Sequence, residues 1–102
     1  MKYLVIVRPR FGVELGNPLE LTKAGRVYWQ NLLDEGKVDS IYQFVDQSGS
    51  MAILDVKSHE EVEQIVTESP GFALGDSEVH ELMDGMVAFE AMIAQLEQMV
   101  PA

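Results

Sequence analysis

The sequence predicts one α+β domain built on a four-stranded antiparallel sheet, and three observations carry that prediction. Short apolar runs rich in β-branched residues alternate with longer stretches of helical spacing, in the order β-α-β-β-α-β. The second and third strand segments are separated only by turn residues. The first and third segments are unbroken apolar runs, whereas the second and fourth are mixed. In the split βαβ topology of this order, the ferredoxin-like arrangement, strands 1 and 3 are central and strands 2 and 4 are edges. The apolarity pattern therefore agrees with a topology it was not used to derive.

The first strand is Tyr3–Val7, bounded by Lys2 and Arg8 and read as buried on both faces. Phe11 to Asn17 holds Gly12 and Gly16 and reads as a loop. Asn17 followed by Pro18 is a helix start, an N-cap residue ahead of proline at the first helical position. Leu21, Ala24, Tyr28 and Leu32, with Val27 beside them, give the first helix its apolar stripe, and Gly36 stops it.

Val38 to Val45 reads as the second strand. Asp46-Gln47-Ser48-Gly49 is hairpin turn chemistry, and Met51–Leu54 is the third strand. Ser58-His59-Glu60-Glu61 is a capping box, and Val62, Ile65 and Val66 stripe the helix it opens. Pro70 and Gly71 end that helix, and Ser77–Met83 is the fourth strand. After Asp84-Gly85 comes a last helix with Met86, Phe89, Met92, Ile93, Leu96, Met99 and Val100 on one side. The domain thus spans 1–102, with a βαββαβ core over 1–83 and an amphipathic helix over 84–102.

Both crossover helices of this topology lie on one sheet face. A central strand apolar on both sides needs its second face covered, by the last helix or by the sheet of a second copy. For so short a chain the sheet-on-sheet homodimer, or a larger homo-oligomer, is the expectation, and the last helix is expected to act between subunits.

Composition narrows the function classes. The net charge of −10 is uneven: residues 1–37 hold six cations against four acids, and the remainder holds thirteen acids against Lys57 alone. Such a chain repels phosphate backbones, so no nucleic-acid partner is expected. The glutamates of the last helix argue against a membrane surface. With no cysteine there is no disulfide, thiolate metal site or thiol nucleophile. The two histidines show no metal-ligand spacing, and there is no phosphate-cradling glycine motif, so neither metal nor cofactor is expected. The apolar N-terminal run is too short for a secretory signal, and a cytoplasmic location is the default.

Leu32-Leu33-Asp34-Glu35-Gly36-Lys37, Ile53-Leu54-Asp55-Val56-Lys57-Ser58-His59-Glu60-Glu61, Ser69-Pro70-Gly71-Phe72 and Val79-His80-Glu81-Leu82 together resemble the muconolactone-isomerase-like families of the dimeric α/β-barrel superfamily. The resemblance covers Gly25 to Asp84 and extends to the first strand. It departs from the isomerase in Ser40–Phe44 and in the methionine-rich last helix. It implies a dimer whose sheets form a barrel-like layer, with ligands in the cleft between sheet and helices, and cofactor-free isomerases and monooxygenases among the members.

Several residues are candidates for chemistry. His80, flanked by Glu78 and Glu81, offers a proton carrier near neutral pH. Tyr42 offers a phenol, and Arg8 a guanidinium suited to a substrate carboxylate, or to an ion pair in so acidic a chain. Glu14 would be a general base if its loop caps a cleft, and His59 reads as solvated. Tyr28 and Trp29 are adjacent on one helix, so one packs while the other lines a cleft or subunit contact. Phe44, with Tyr28 and Trp29, would line a ligand pocket. Phe72 and Leu74 either cover a pocket or anchor their loop.

The leading reading is a cofactor-free isomerase-like enzyme moving protons on a small carboxylate or lactone-like metabolite, with Arg8 as clamp and Tyr42 and His80 as the acid/base pair. The alternatives are a non-enzymatic homo-oligomer binding a small molecule or protein through Phe89, Met92 and Leu96, and a cofactor-free monooxygenase with a dry pocket around Tyr28, Trp29 and Phe44.

Overall fold

The computed structural model describes residues 1–10 and 16–100. Its elements are β1 (Lys2–Pro9), α1 (Pro18–Asp34), β2 (Val38–Gln43), β3 (Ser50–Asp55), α2 (His59–Glu68), a single 3₁₀ turn (Phe72–Leu74), β4 (Gly75–Leu82) and α3 (Gly85–Met99). The strands form one sheet in the order β2-β3-β1-β4 with every pairing antiparallel. This is the ferredoxin-like arrangement read from the sequence, with the two apolar strands central.

Local chemistry accounts for the boundaries. The Asn17 side chain accepts from the Glu20 N–H at 3.2 Å, with Pro18 behind it. At the other end of α1, Gly36 N–H donates to Leu33 and Lys37 N–H to Leu32, a Schellman closure in which Gly36 takes φ 77°. Ser58 caps α2 by accepting from Glu61 N–H at 3.2 Å, and the Glu61 carboxylate reaches back to Lys57 N–H at 3.3 Å. In the hairpin Asp46 accepts from both the N–H and the hydroxyl of Ser48, which holds its carboxyl below the usual range. The residue with positive φ there is Gln47, at 63°. Gly49 serves another purpose, because a Cβ at that position would lie 2.6 Å from the Val7 carbonyl oxygen.

Register assigns the faces, since directly opposed residues share a side. Tyr3, Val5 and Val7 of β1 stand opposite Leu54, Ala52 and Ser50 of β3 and opposite Glu81, Val79 and Ser77 of β4. This is the inner face, covered by α1 and α2. Its core is Tyr3, Val5, Ala52, Leu54, Leu32, Val38, Val56, Val62, Ile65 and Val66. Tyr28 donates its hydroxyl to the Ile65 carbonyl and so ties α1 to α2. Burial, and secondarily Glu68, raises its pKa.

Three expectations are corrected. β1 is covered on one face only within the chain: Leu4 and Ile6, with Met51 and Ile53 beside them, are half-buried on the outer face. Val27 is 60 % exposed and lies off the packing stripe of α1, whose contacts with the core come from Tyr28, Trp29, Leu32 and Leu33. The strand ends also move, with β2 stopping at Gln43 and β4 beginning at Gly75. α3 does not fold over the outer face: none of its residues is buried. The chain measures 66 × 31 × 24 Å.

Candidate active site

The inner sheet face and the helices do not close completely. Between them lies a cleft of about 210 Å³ with an apolar floor of Val5, Ala52 and Ile41 and walls from Trp29, Val66 and Phe72. Its polar lining comes from Ser50, Ser69 and Ser77. A cross-strand row explains two of these: Gln43, Ser50, Val7 and Ser77 are register partners on β2, β3, β1 and β4, so they stand side by side on the inner face. The space is below the ~300–1,000 Å³ of pockets for drug-sized ligands, and it suits a molecule of about one ring.

Two openings adjoin the cleft. One lies toward the end of β1 and is bordered by Pro9, Thr22, Gly25, Gly71 and Gly75. The other lies between α1 and β2 and is bordered by Gly25, Arg26, Trp29, Tyr42, Gln43 and Ser50. Gly25 borders both, and nothing lies within 4 Å of where its Cβ would stand. A glycine inside a helix costs about 1 kcal/mol relative to alanine. Here the missing side chain leaves room at both entrances.

The sequence candidates divide between the two faces. Trp29 and Phe72 line the cleft. Tyr28, in edge contact with Trp29 at 5.4 Å, spends its hydroxyl on Ile65 and packs against the core, so of that adjacent pair Trp29 is the cleft residue. Phe44 follows β2, donates its N–H to the Gly49 carbonyl and lies near Gly49 and Arg8, away from the cleft floor. Tyr28, Trp29 and Phe44 therefore do not assemble into one pocket.

Arg8, Tyr42 and His80 belong to the outer face by register. His80 Nε2 lies 2.8 Å from Glu78, and Arg8 lies 3.7 Å from the same carboxylate. The His80 hydrogen bond, with the charge of Arg8 behind it, holds the Glu78 carboxyl below its ordinary range. Tyr42 shares its cross-strand row with Met51, Ile6 and Glu78, whereas His80 shares one with Leu4, Ile53 and Ser40. The two sit on the same side of the sheet but on its opposite edges, three strand spacings or about 14 Å apart. Within one chain they do not reach one small ligand together. Arg10 is paired with Asp76 at 3.1 Å, and His59 with Glu63 at 3.1 Å on the exposed side of α2. Glu14 lies outside the described residues.

Arg26 was not among the sequence candidates. Among the described residues it has no ion-pair partner, while every other arginine is paired. Its signal was spacing: Thr22, Gly25, Arg26, Trp29, Gln30 and Leu33 recur at three- and four-residue intervals along the side of α1 next to its packing stripe. Among the described residues no carboxylate or imidazole lines the cleft itself.

The chain is thus a small α+β protein with a ferredoxin-like sheet and a ring-sized, largely apolar cleft under its helices. The sequence matches the muconolactone delta-isomerase family over residues 1–86, and the chain belongs to that family. Several solved structures share the fold, among them these two. One is 5-chloro-2-hydroxyhydroquinone dehydrochlorinase from Burkholderia phenoliruptrix AC1100 in complex with 2,5-dihydroxybenzoquinone, 21 % identical over 84 % of this chain and 97 % of that one, with a TM-score of 0.69. The other is muconolactone isomerase, 22 % identical over 80 % of this chain and 88 % of that one, with a TM-score of 0.71. No curated protein sequence matches. Family and neighbours thus include an isomerase and a dehydrochlorinase of small molecules. Among the described residues no helix is long and apolar enough to cross a membrane.

Proposed function

We propose that the protein is an isomerase-like enzyme that moves a proton on a small carboxylate or lactone-like metabolite held in the cleft between α1 and the inner sheet face. The observation that carries this reading is the cleft: an apolar floor for a ring, a row of neutral hydrogen-bonding groups, and an arginine at the mouth. Trp29 and Phe72 would flank the ring, and Ser50, Ser77 and Gln43 would meet its oxygens. Arg26 takes the anchoring role first given to Arg8, because Arg8 stands on the other side of the sheet beside Glu78. A guanidinium binds a carboxylate through two parallel hydrogen bonds, which fixes the ring's orientation as well as its position. Tyr42 lies on the outer face by register, as Arg8 does, but β2 is an edge strand and Tyr42 also borders this mouth, so it is retained as the proton-bearing residue, reaching round the sheet edge. His80 would join it only where a second copy brings the opposite edge of another sheet across.

The test is to incubate the purified protein with muconolactone in deuterated water and follow the ring by proton NMR. Migration of the double bond, with deuterium appearing at the accepting carbon, supports the reading. Arg26→Ala should raise KM at least tenfold, a loss of about 1.4 kcal/mol of binding, and Tyr42→Phe should lower kcat. An Arg26→Ala enzyme with unchanged KM would remove Arg26 from the site. Absence of turnover and of binding for both muconolactone and 2,5-dihydroxybenzoquinone would remove the enzymatic reading for these ring classes.

A further inference from the structure

The family match ends at residue 86, where α3 begins, so this helix is an addition that the shared fold does not explain. We propose that α3 is a self-association arm whose partner is α3 of a second copy of this chain. The first observation is exposure. Met86, Val87, Phe89, Met92, Ile93, Leu96, Met99 and Val100 are each between 48 % and 72 % exposed, and no residue of α3 is buried against its own domain. A helix with this much apolar surface is stable in water only when something covers it.

The second observation is spacing. Met86, Phe89, Ile93 and Leu96 follow one another at intervals of three, four and three residues along α3, and the next four-residue step reaches Val100, the extended C-cap of the helix. That is the seam of a helix packed against a helix of the same repeat, and the identical helix of another copy supplies one by symmetry. Met92 and Met99 flank the seam on one side and Glu90 and Glu97 on the other, each pair seven residues apart.

The third observation is area. A fully exposed side chain of this kind offers on the order of 100 Å² of apolar surface. Leaving out Val87, which faces away from the seam, the other seven residues present roughly 400 Å² at their observed exposures. One partner in a standard interface contributes about 800 Å², of which somewhat over half is apolar, or about 450–500 Å². The helix therefore carries most of one side of a stable interface. Its charges disfavour two other occupants: α3 has Glu90 and Glu97 and no lysine or arginine, which opposes anionic lipid and nucleic acid alike.

The experiment is light scattering behind size-exclusion chromatography at tens of micromolar protein, on the full chain and on the Phe89→Glu, Leu96→Glu double variant. A Val27→Glu variant, altered at an exposed apolar residue of α1, serves as control. The wild type and the control should elute at twice 11.4 kDa or a larger multiple. The double variant should fall to a smaller species and keep the circular dichroism of a folded domain, since α3 contributes nothing to the core. A monomeric wild type overturns the proposal. So does a double variant of unchanged mass, which would place the contact on the sheet face alone. A double variant that unfolds would show α3 packed on its own domain, which also overturns it. A monomeric wild type would also remove His80 from the proposed reaction, but turnover and the roles of Arg26 and Tyr42 are read by separate assays, so failure here is distinguishable from failure of the proposed reaction.

Discussion

Gly25 offers a direct test of the cleft, because the same missing side chain sets both the stability of α1 and the size of the entrance. No atom lies within 4 Å of an added Cβ. Alanine at this position therefore meets nothing and recovers the helix propensity that glycine forgoes, about 0.5–1 kcal/mol. For a domain of about 100 residues that raises Tm by several degrees, taking ~4–8 °C per kcal/mol. Leucine should keep much of the stability gain, being a good helix former in an open position, while its branched end projects into the space shared by the two mouths. Ligand entry should suffer accordingly. The expected pattern is Gly25→Ala more stable with binding retained, and Gly25→Leu no less stable than wild type with affinity at least tenfold weaker, about 1.4 kcal/mol. Thermal unfolding by circular dichroism reads the first quantity. Isothermal titration with muconolactone and with 2,5-dihydroxybenzoquinone reads the second. A Gly25→Ala protein that melts below wild type would refute the open-space argument. A Gly25→Leu protein that binds as tightly as wild type would show that ligands do not pass α1 at this point.

Two further predictions concern stability. Gly49→Ala should destabilise the hairpin end of the sheet by about 1–3 kcal/mol, because its Cβ would stand 2.6 Å from the Val7 carbonyl and 3.2 Å from Arg8 Cγ; a Tm within a degree of wild type would show that β1 and β3 separate there at no cost. Glu78 should contribute a pH-dependent increment, small because the site is half exposed. Its folded carboxyl is held below its unfolded value by His80 first and Arg8 next, so the unfolded chain binds more protons. The contribution is fully present above the ordinary carboxylate pKa of about 4.3 and is lost as pH falls through the lowered folded value. Melting curves of wild type and Glu78→Gln should therefore converge as pH drops below about 4, and a gap that widens with acidity would contradict the sign.

Much of this protein is local in origin, and the sequence by itself determined that part. Asn17-Pro18, Gly36 and Ser58 with Glu61 act over a few residues through caps whose partners are the next turn of backbone, so the helix ends could be read directly. The contrast between Tyr3–Val7 or Met51–Leu54 and the mixed edge strands reports how many neighbours each strand has, and strand order follows from it. The family was readable for the same reason, since its shared residues punctuate helices and turns. The sequence also showed that the last helix has an apolar side in need of cover.

Tertiary structure decided what depends on side-chain direction. The two faces of a strand differ by one step in register, and nothing along the chain says which step faces the helices. Only the pairing of β1 with β3 and β4 puts Ser50 and Ser77 beside the cleft and Arg8 and His80 on the opposite side. Arg26 and Gly25 share one side of α1 by spacing, but only the way α1 lies against β2 makes them candidate site residues. Tyr42 and His80 look like partners in composition, yet strand order sets them at opposite edges of the sheet. Chemistry-bearing residue types are a property of the sequence; which of them meet is a property of the packing, because contact falls off within a few ångströms while neighbours in space are tens of residues apart.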